Sequence, residues 1–338
     1  MPSPLLFCSN MPSPSRHKRA ALAAAAVLVA AACQPTGPVV RVVIPPGTTF
    51  RAAADSLASA HVIRSARLFR IYAKLTRHDR AIKPGTYILS PGTGWNVTLD
   101  ALVQGTGIVH TMTIPEGWDL STIVPLLART LDVPAESVTA AVRDSALLDS
   151  LAVPPDAATI EGYLFPDTYT FTDGTTARAA VGTMVREFER AWRPEWNARR
   201  DSLGLTRHQV VTLASIVEKE ARFGDERPII AAVYLNRLRL HMPLQADPTV
   251  QYALGHHVDR VYYKDLDIDS PYNTYRHVGL PPGPIASPGA ASLAAVLAPA
   301  SVPYLYFVAR PDGHHEFRST FAEHTEARAD LRRQKKGH

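Results

Sequence analysis

Twenty-eight prolines break this 338-residue chain at short intervals, and a fold built on long uninterrupted elements cannot accommodate them. A proline inside a helix loses a hydrogen bond and clashes with the preceding turn, and inside a central strand it removes a ladder bond. The pairs Pro45-Pro46, Pro154-Pro155 and Pro281-Pro282 fall between periodic segments, so they read as punctuation rather than as a disordered tract. The chain is 46% apolar and 20% charged, which supplies a real core. At roughly 100–200 residues per domain, the length suggests two domains. The net charge is +5, with Arg far outnumbering Lys and the basic residues scattered. That charge suits an anionic wall or membrane, or carries no specific meaning. No stripe combines aromatic and basic residues, so nucleic acid is not expected as a partner.

The cysteines are Cys8 and Cys33, and both precede the folded region. This excludes a disulfide framework or a Cys-based zinc site in the body of the protein. Residues 16–19 read Arg-His-Lys-Arg, and residues 20–32 form an apolar run that ends at Cys33. A basic region, a short apolar region and small residues make an export signal. The run is shorter than the about 20 residues a spanning helix needs. Ala30-Ala31-Ala32-Cys33 resembles a bacterial lipobox with Ala where Leu is usual. Lipidation of Cys33 and an uncleaved Ala-rich anchor both remain open. Either places the working domain outside the cytoplasm.

The pattern beyond residue 38 predicts strand, helix, helix, strand over about 39–91, with helices near 50–60 and 65–75, the latter carried by Leu68, Phe69, Tyr72 and Leu75. A third helix with Leu99 and Leu102 ends at Gly105. A second unit begins at Val109, with a strand to Ile114. Helices are predicted at 120–131, 137–151, 176–192, 206–222 and 227–240. Beyond Asp247 the chain reads as turn-rich with short strands, notably 304–309, and residues 329–338 as a charged tail. Helices and strands interleave without a βαβ rhythm, which gives an α+β class. The expected domains are 1–38 as signal and linker, 39–108, and 109–328.

Residues 206–222 carry the most suggestive chemistry. On a helical wheel Val210, Leu213, Ala214, Val217 and Ala221 define a core face. Glu220 and Glu218 lie about 75° and 85° from its centre, on opposite sides. Glu220, flanked by Leu213 and Ile216, is the better candidate for a half-buried carboxyl, and Glu218 for one at the surface or one that supports the site from behind. Burial raises a carboxyl pKa, as a general acid working near neutral pH requires. A pair of solvated glutamates fits the pattern as well. Glu161 to Tyr169 packs aromatics among carboxylates, which suits a sugar or a buried strand end. Gln245, Asp247, Asn273 and Tyr275 lie in rigid turns that shape a site or merely close loops. The histidine pairs 256–257 and 314–315 are adjacent rather than spaced as ligands, and no His-Glu-x-x-His occurs, so no metal is expected. No Gly-rich phosphate loop and no Gly-x-Ser-x-Gly elbow is present, and no cofactor is expected.

Segments 161–169, 213–221, 244–252, 272–275, 279–289 and 303–309 together resemble, in order and spacing, the MltG (YceG-like) endolytic murein transglycosylases, over roughly residues 40–328. The resemblance implies a LysM-like subdomain at 39–108 followed by a YceG-like catalytic domain. It implies that Glu220, the second glutamate of Ala-Ser-Ile-Val-Glu-Lys-Glu, is catalytic. The implied reaction is non-hydrolytic cleavage of the β-1,4 bond between N-acetylmuramic acid and N-acetylglucosamine in nascent peptidoglycan, leaving 1,6-anhydro ends. Glu161, Glu218, Gln245, Asp247, Asn273 and Tyr275 are the candidates for substrate binding. The implied setting is the inner membrane, with the catalytic domain facing the periplasm or exterior and peptidoglycan synthases as possible partners. The family's usual single transmembrane helix is replaced here by the short run ending at Cys33. A hydrolytic muramidase, a non-catalytic wall-binding scaffold and a pyridoxal-phosphate lyase are the competing readings.

Overall fold

The proline spacing yields short elements throughout. The computed structural model describes residues 38–78, 82–255 and 261–336, with the side chains of 334–336 excepted; the export signal, Cys33 and the 256–257 histidine pair lie outside the described residues. The chain clusters into two compact units, Met1–His110 and Thr111–His338.

In the first unit β1 (Val40–Ile44) pairs antiparallel with β2 (Gly85–Leu89), Val42 opposite Tyr87. Between them lie α1 (Phe50–Ser59) and α2 (Ala66–Leu75), and α3 (Trp95–Gln104) follows. Thr49 and Ser65 start the first two helices by accepting hydrogen bonds from Ala52 N–H and Leu68 N–H. Gly105 ends α3 in the left-handed region. Leu57, Phe69, Tyr87 and Leu102 are fully buried among one another. The core-facing side of α2 is Phe69 and Ala73; Leu68 and Leu75, expected to help pack it, are exposed. Apolar residues occur on both sides of this helix, so spacing alone could not choose between them.

β3 (Val109–Thr113) runs across the division between His110 and Thr111 and pairs with β4 (Thr168–Thr172). Then come α4 (Leu120–Leu131), α5 (Ala135–Ala141) and α6 (Ser145–Ser150). The single helix expected at 137–151 is two, because Asp144 accepts from Leu147 N–H and starts a new one. Pro125 stands inside α4 despite the general rule. Next are α7 (Ala177–Ala191), α8 (Glu195–Ser202), α9 (Arg207–Glu220) and α10 (Arg227–Arg239). Pro194, read only as a stop, also starts α8.

The stretch expected to be turns contains α11 (Asp247–Leu254) and α12 (Ala290–Leu297). The second is apolar nearly all round and carries no periodic signal. The hairpin β5 (Tyr306–Ala309) and β6 (His315–Arg318) follows, and α13 (Phe321–Lys336) packs on it. Leu331 is buried, so the expected charged tail is the end of a packed helix. With helices around separate two-stranded antiparallel sheets, the class is α+β.

α9 is the axis of the second unit. A capping box opens it: Thr206 accepts from Gln209 N–H and Gln209 accepts from Thr206 N–H. Val210 to Val217 are all essentially inaccessible to water, so the helix is enclosed on every side rather than on one stripe. The loop before β4 approaches it closely at Gly162, whose φ is +83°; a Cβ there would lie 2.5 Å from Pro284 and 3.1 Å from Val211. Gly174, at φ +76°, has open space around it. Gly174→Ala should therefore lose only the left-handed strain, about 1–2 kcal/mol. Gly162→Ala adds a clash with the stiff Pro284 ring and should lose at least about 3 kcal/mol in denaturant unfolding. Equal losses would contradict the close approach.

Candidate active site

Enclosure of α9 carries its last residue, Glu220, against the core. The helix stops because Ala221 is extended, and the chain turns away there. Glu220 is half-buried, and its carboxyl is pushed up to about 7, first by burial and then by the charge of Asp247. Its place at a helix C-terminus, where the peptide dipoles present negative charge, works in the same direction. Tyr234 and Arg237 oppose the shift.

Those two residues come from α10, three positions apart and therefore on one face. Tyr234 donates its hydroxyl to Glu220 Oε1 at 2.9 Å. Burial and the neighbouring carboxyl hold the phenol well above its ordinary pKa, so it stays a neutral donor. With Oε1 accepting, the acidic proton of Glu220 belongs on Oε2. Arg237 is buried and donates to the carbonyls of Leu305 (2.6 Å), Leu244 (2.8 Å) and Pro243 (3.2 Å) and to Gln245 Oε1 (3.4 Å). Its guanidinium lies over the Tyr306 ring at 5.1 Å. It thus fastens α10 to the turn before α11 and to β5, while its charge acts on Glu220.

Asp247 begins α11 and is exposed. Tyr275 donates to Asp247 Oδ1 at 2.5 Å. Asn273 is buried: its amide donates to the carbonyls of Leu266 and Ile268, and its oxygen accepts from Tyr275 N–H. Thr274 joins this loop to the α11 turn, accepting from Gln245 N–H at its carbonyl and from Ala246 N–H at its hydroxyl. Gln245 is exposed in the left-handed region, φ 51°. Glu220, Asp247 and Tyr275 therefore form one electrostatic group, with Asn273 and Gln245 in its frame.

Glu218 and Glu161 sit in other groups. Glu218, expected either at the surface or as a group supporting the site from behind, takes the supporting place, with a side chain only 6% exposed. It accepts from Arg227 at 3.1 Å and from Gly289 N–H at 3.0 Å, tying α9 to α10 and to the start of α12. Arg227 also donates to Ser292. The wheel assumed one wet side of α9, and there is none along most of its length. Glu116 packs so tightly against Gly289 that a Cβ there would overlap it. Its carboxyl is raised, by burial and then by Glu218, against the pull of Arg227.

Glu161 is 3% exposed and accepts from Leu120 N–H at both oxygens (3.2 and 3.0 Å), from Gly162 N–H (3.2 Å) and from Tyr252 (3.3 Å). It satisfies otherwise unpaired N–H groups at the start of α4. Burial pushes it up to about 8 against those donors. It lines a cleft of about 650 Å³ with Trp118, Lys219, Pro248 and Tyr252. Lys219 and Pro248 are the chain neighbours of Glu220 and Asp247, but neither of those carboxylates lines that cleft.

The 314–315 histidine pair is occupied as well. Both rings and His315 N–H contact Glu226, clasping the β5–β6 hairpin to the α9–α10 junction. Arg227 and Glu116 were not singled out from sequence, and the run Tyr234-Leu235-Asn236-Arg237 reads there only as polar groups at a helix end, with no role for Tyr234 or Arg237 at Glu220. The available signal was a tyrosine and an arginine interrupting the otherwise apolar row Ile230, Val233, Tyr234, Arg237.

The arrangement offers one carboxyl that is protonated near neutral pH, a fixed neutral donor on one of its oxygens, and a nearby exposed carboxylate. It is equipped for proton transfer to and from a bound hydroxyl or ether oxygen.

Comparison with known proteins places this geometry in context. The sequence model of the YceG-like family matches residues 42–330. An endolytic murein transglycosylase of Bacillus subtilis is 37% identical over 306 residues, covering 86% of this chain and 84% of that protein. One from Streptococcus pneumoniae D39 is 31% identical over 299 residues, which cover 80% of this chain but 54% of that longer protein. A crystal structure described as a YceG-like protein of Listeria monocytogenes superposes with a TM-score of 0.61 at 33% identity, covering 86% of this chain and 99% of that one. Agreement of family model, sequence relatives and fold over nearly the same span makes this chain a member of the YceG-like family.

Proposed function

We propose that the protein is an endolytic peptidoglycan lytic transglycosylase that uses Glu220 as both acid and base. The observation that carries this is the half-buried Glu220 carboxyl at the end of α9, with one oxygen bonded by Tyr234 and its pKa pushed up to about 7 by burial. The names of the relatives support the substrate. Glu220 gives the proton on Oε2 to the glycosidic oxygen between N-acetylmuramic acid and N-acetylglucosamine. The C1–O bond breaks and the N-acetylglucosamine hydroxyl leaves. The resulting carboxylate takes the proton of the muramic C6 hydroxyl, whose oxygen bonds C1 and closes the 1,6-anhydro ring. Glu220 ends protonated, and no water is consumed. Asp247 is placed to stabilise the positive charge that develops at C1, and Tyr275 orients it. Gln245, exposed beside Asp247, is the further candidate for contact with sugar. Glu161, Glu218 and Asn273 serve as positioning residues, since their polar atoms are engaged within the protein.

A second reading has a specific observation in its favour: Asp247 is another carboxylate near Glu220, as a hydrolytic muramidase would use to activate water. The setting proposed is the outer face of the inner membrane, reached by the 16–33 signal and held by an N-terminal segment or a lipidated Cys33. The first unit is proposed to act as a LysM-like module, and synthases making the strands are the proposed neighbours.

Digestion of sacculi followed by mass spectrometry separates these readings. Wild type should give 1,6-anhydro ends, and Glu220→Gln should lose about 10²–10⁴-fold in rate. Reducing ends would show hydrolysis, and an active Glu220→Gln would remove Glu220 from the chemistry.

The pH profile tests Tyr234. Activity needs protonated Glu220, so it should fall as pH rises through about 7. Tyr234→Phe removes a bond that favours the ionised form and should move that alkaline limb upward. An unmoved limb would mean the phenol has no electrostatic hold on Glu220.

A further inference from the structure

Among the described residues of its own unit, the outer face of α2 has no apolar partner. Phe69 and Ala73 turn inward, while Leu68, Ile71 and Leu75 are 53%, 49% and 78% exposed. At about 100° per residue these three fall within roughly 60° of one another, forming an apolar stripe along the helix. Exposed Arg67 and Lys74 follow its flank, and Arg64, just before the helix, is exposed as well. The basic charge that looks scattered is in fact concentrated in this unit. Between Val39 and His110 there are nine Lys and Arg against three Asp, a net of +6 compared with +5 for the whole chain.

Leucine and isoleucine flanked by cations on one helix face suit the headgroup boundary of an anionic bilayer. A glycan would instead call for aromatic faces and hydrogen-bonding side chains, which the stripe does not present. Chain length supplies the second argument. Only residues 33–38 separate the apolar run from Val39. Fully extended, these six residues reach about 22 Å at most, no more than about the diameter of a unit this size. With the N-terminal segment in the membrane, the lipid surface is the nearest and most concentrated apolar partner available.

We propose that Leu68, Ile71 and Leu75, with Arg67 and Lys74, dock the first unit on an anionic lipid surface beside the chain's own anchor. This rests on the anchoring proposed above. It adds a second, reversible contact that holds the unit down on the membrane.

The test uses the full chain reconstituted into vesicles of phosphatidylethanolamine and phosphatidylglycerol with brominated acyl chains. Tryptophan is introduced at Leu75 (L75W) or, as a control on α1, at exposed Arg51 (R51W), and the parent's fluorescence is subtracted. L75W should be quenched at least about twofold more than R51W. The excess should vanish without phosphatidylglycerol and in the L75W chain that also carries Arg67→Glu and Lys74→Glu. Equal quenching of L75W and R51W in vesicles that carry the protein on flotation overturns the docking and leaves the anchor intact. A chain that does not float with the vesicles overturns both. An L75W signal that responds only to added glycan fragments assigns the face to the wall and overturns the lipid proposal.

Discussion

A carboxyl at the end of a helix sealed from water is expensive to ionise, and the second unit is arranged around that fact. Glu220 closes α9, whose residues from Val210 to Val217 have no contact with solvent. Burial, the helix terminus and Asp247 all favour the proton; Tyr234 and Arg237 hold the shift to about 7 rather than higher. That balance suits a group that must first give a proton and then take one back, because a pKa near the working pH serves both halves. A glycosidase with two carboxylates divides those tasks between residues, whereas here one residue is tuned for both.

The remaining buried polar groups hold the frame that makes the balance possible. Glu218 joins α9 to Arg227 on α10 and to Gly289 before α12. Glu161 bonds the start of α4, Asn273 fixes the loop that delivers Tyr275, and Glu226 clasps the hairpin through His314 and His315. Each is an ionisable or amide group whose bonding capacity is met inside the protein. This explains how a unit with few strands keeps its site geometry: polar clamps at helix ends take the place of a large sheet.

Much of this was legible in the sequence where the physics is local. The helix expected at 206–222 is α9, the strand–helix–helix–strand order follows from turns and periodicity, and the α+β class follows from both. Two kinds of feature were not legible. An enclosed helix has no wet face, so the wheel could not choose between the surface and a supporting place for Glu218, whose side chain is buried in an ion pair. Likewise α12, apolar nearly all round, gave no period and was read as turn. The partner of Glu220 was hidden for another reason. Tyr234 lies fourteen positions on, in a helix of its own, and only packing brings the two together. The family resemblance supplied Glu220; it did not supply Tyr234 or Arg237.

The central claim, that Glu220 is held protonated by its surroundings, is tested most directly by stability against pH. The folded pKa of about 7 lies above the ordinary carboxyl value of 4.5. The folded state therefore binds the extra proton between those values, and wild type loses stability as pH rises through that window. Glu220→Gln keeps an acceptor for Tyr234 and carries no charge to ionise. In denaturant unfolding the variant should match wild type near pH 4 and exceed it at pH 8 by up to about 3 kcal/mol. A difference that stays constant from pH 4 to pH 8 would show that Glu220 titrates as an ordinary glutamate and would contradict the account.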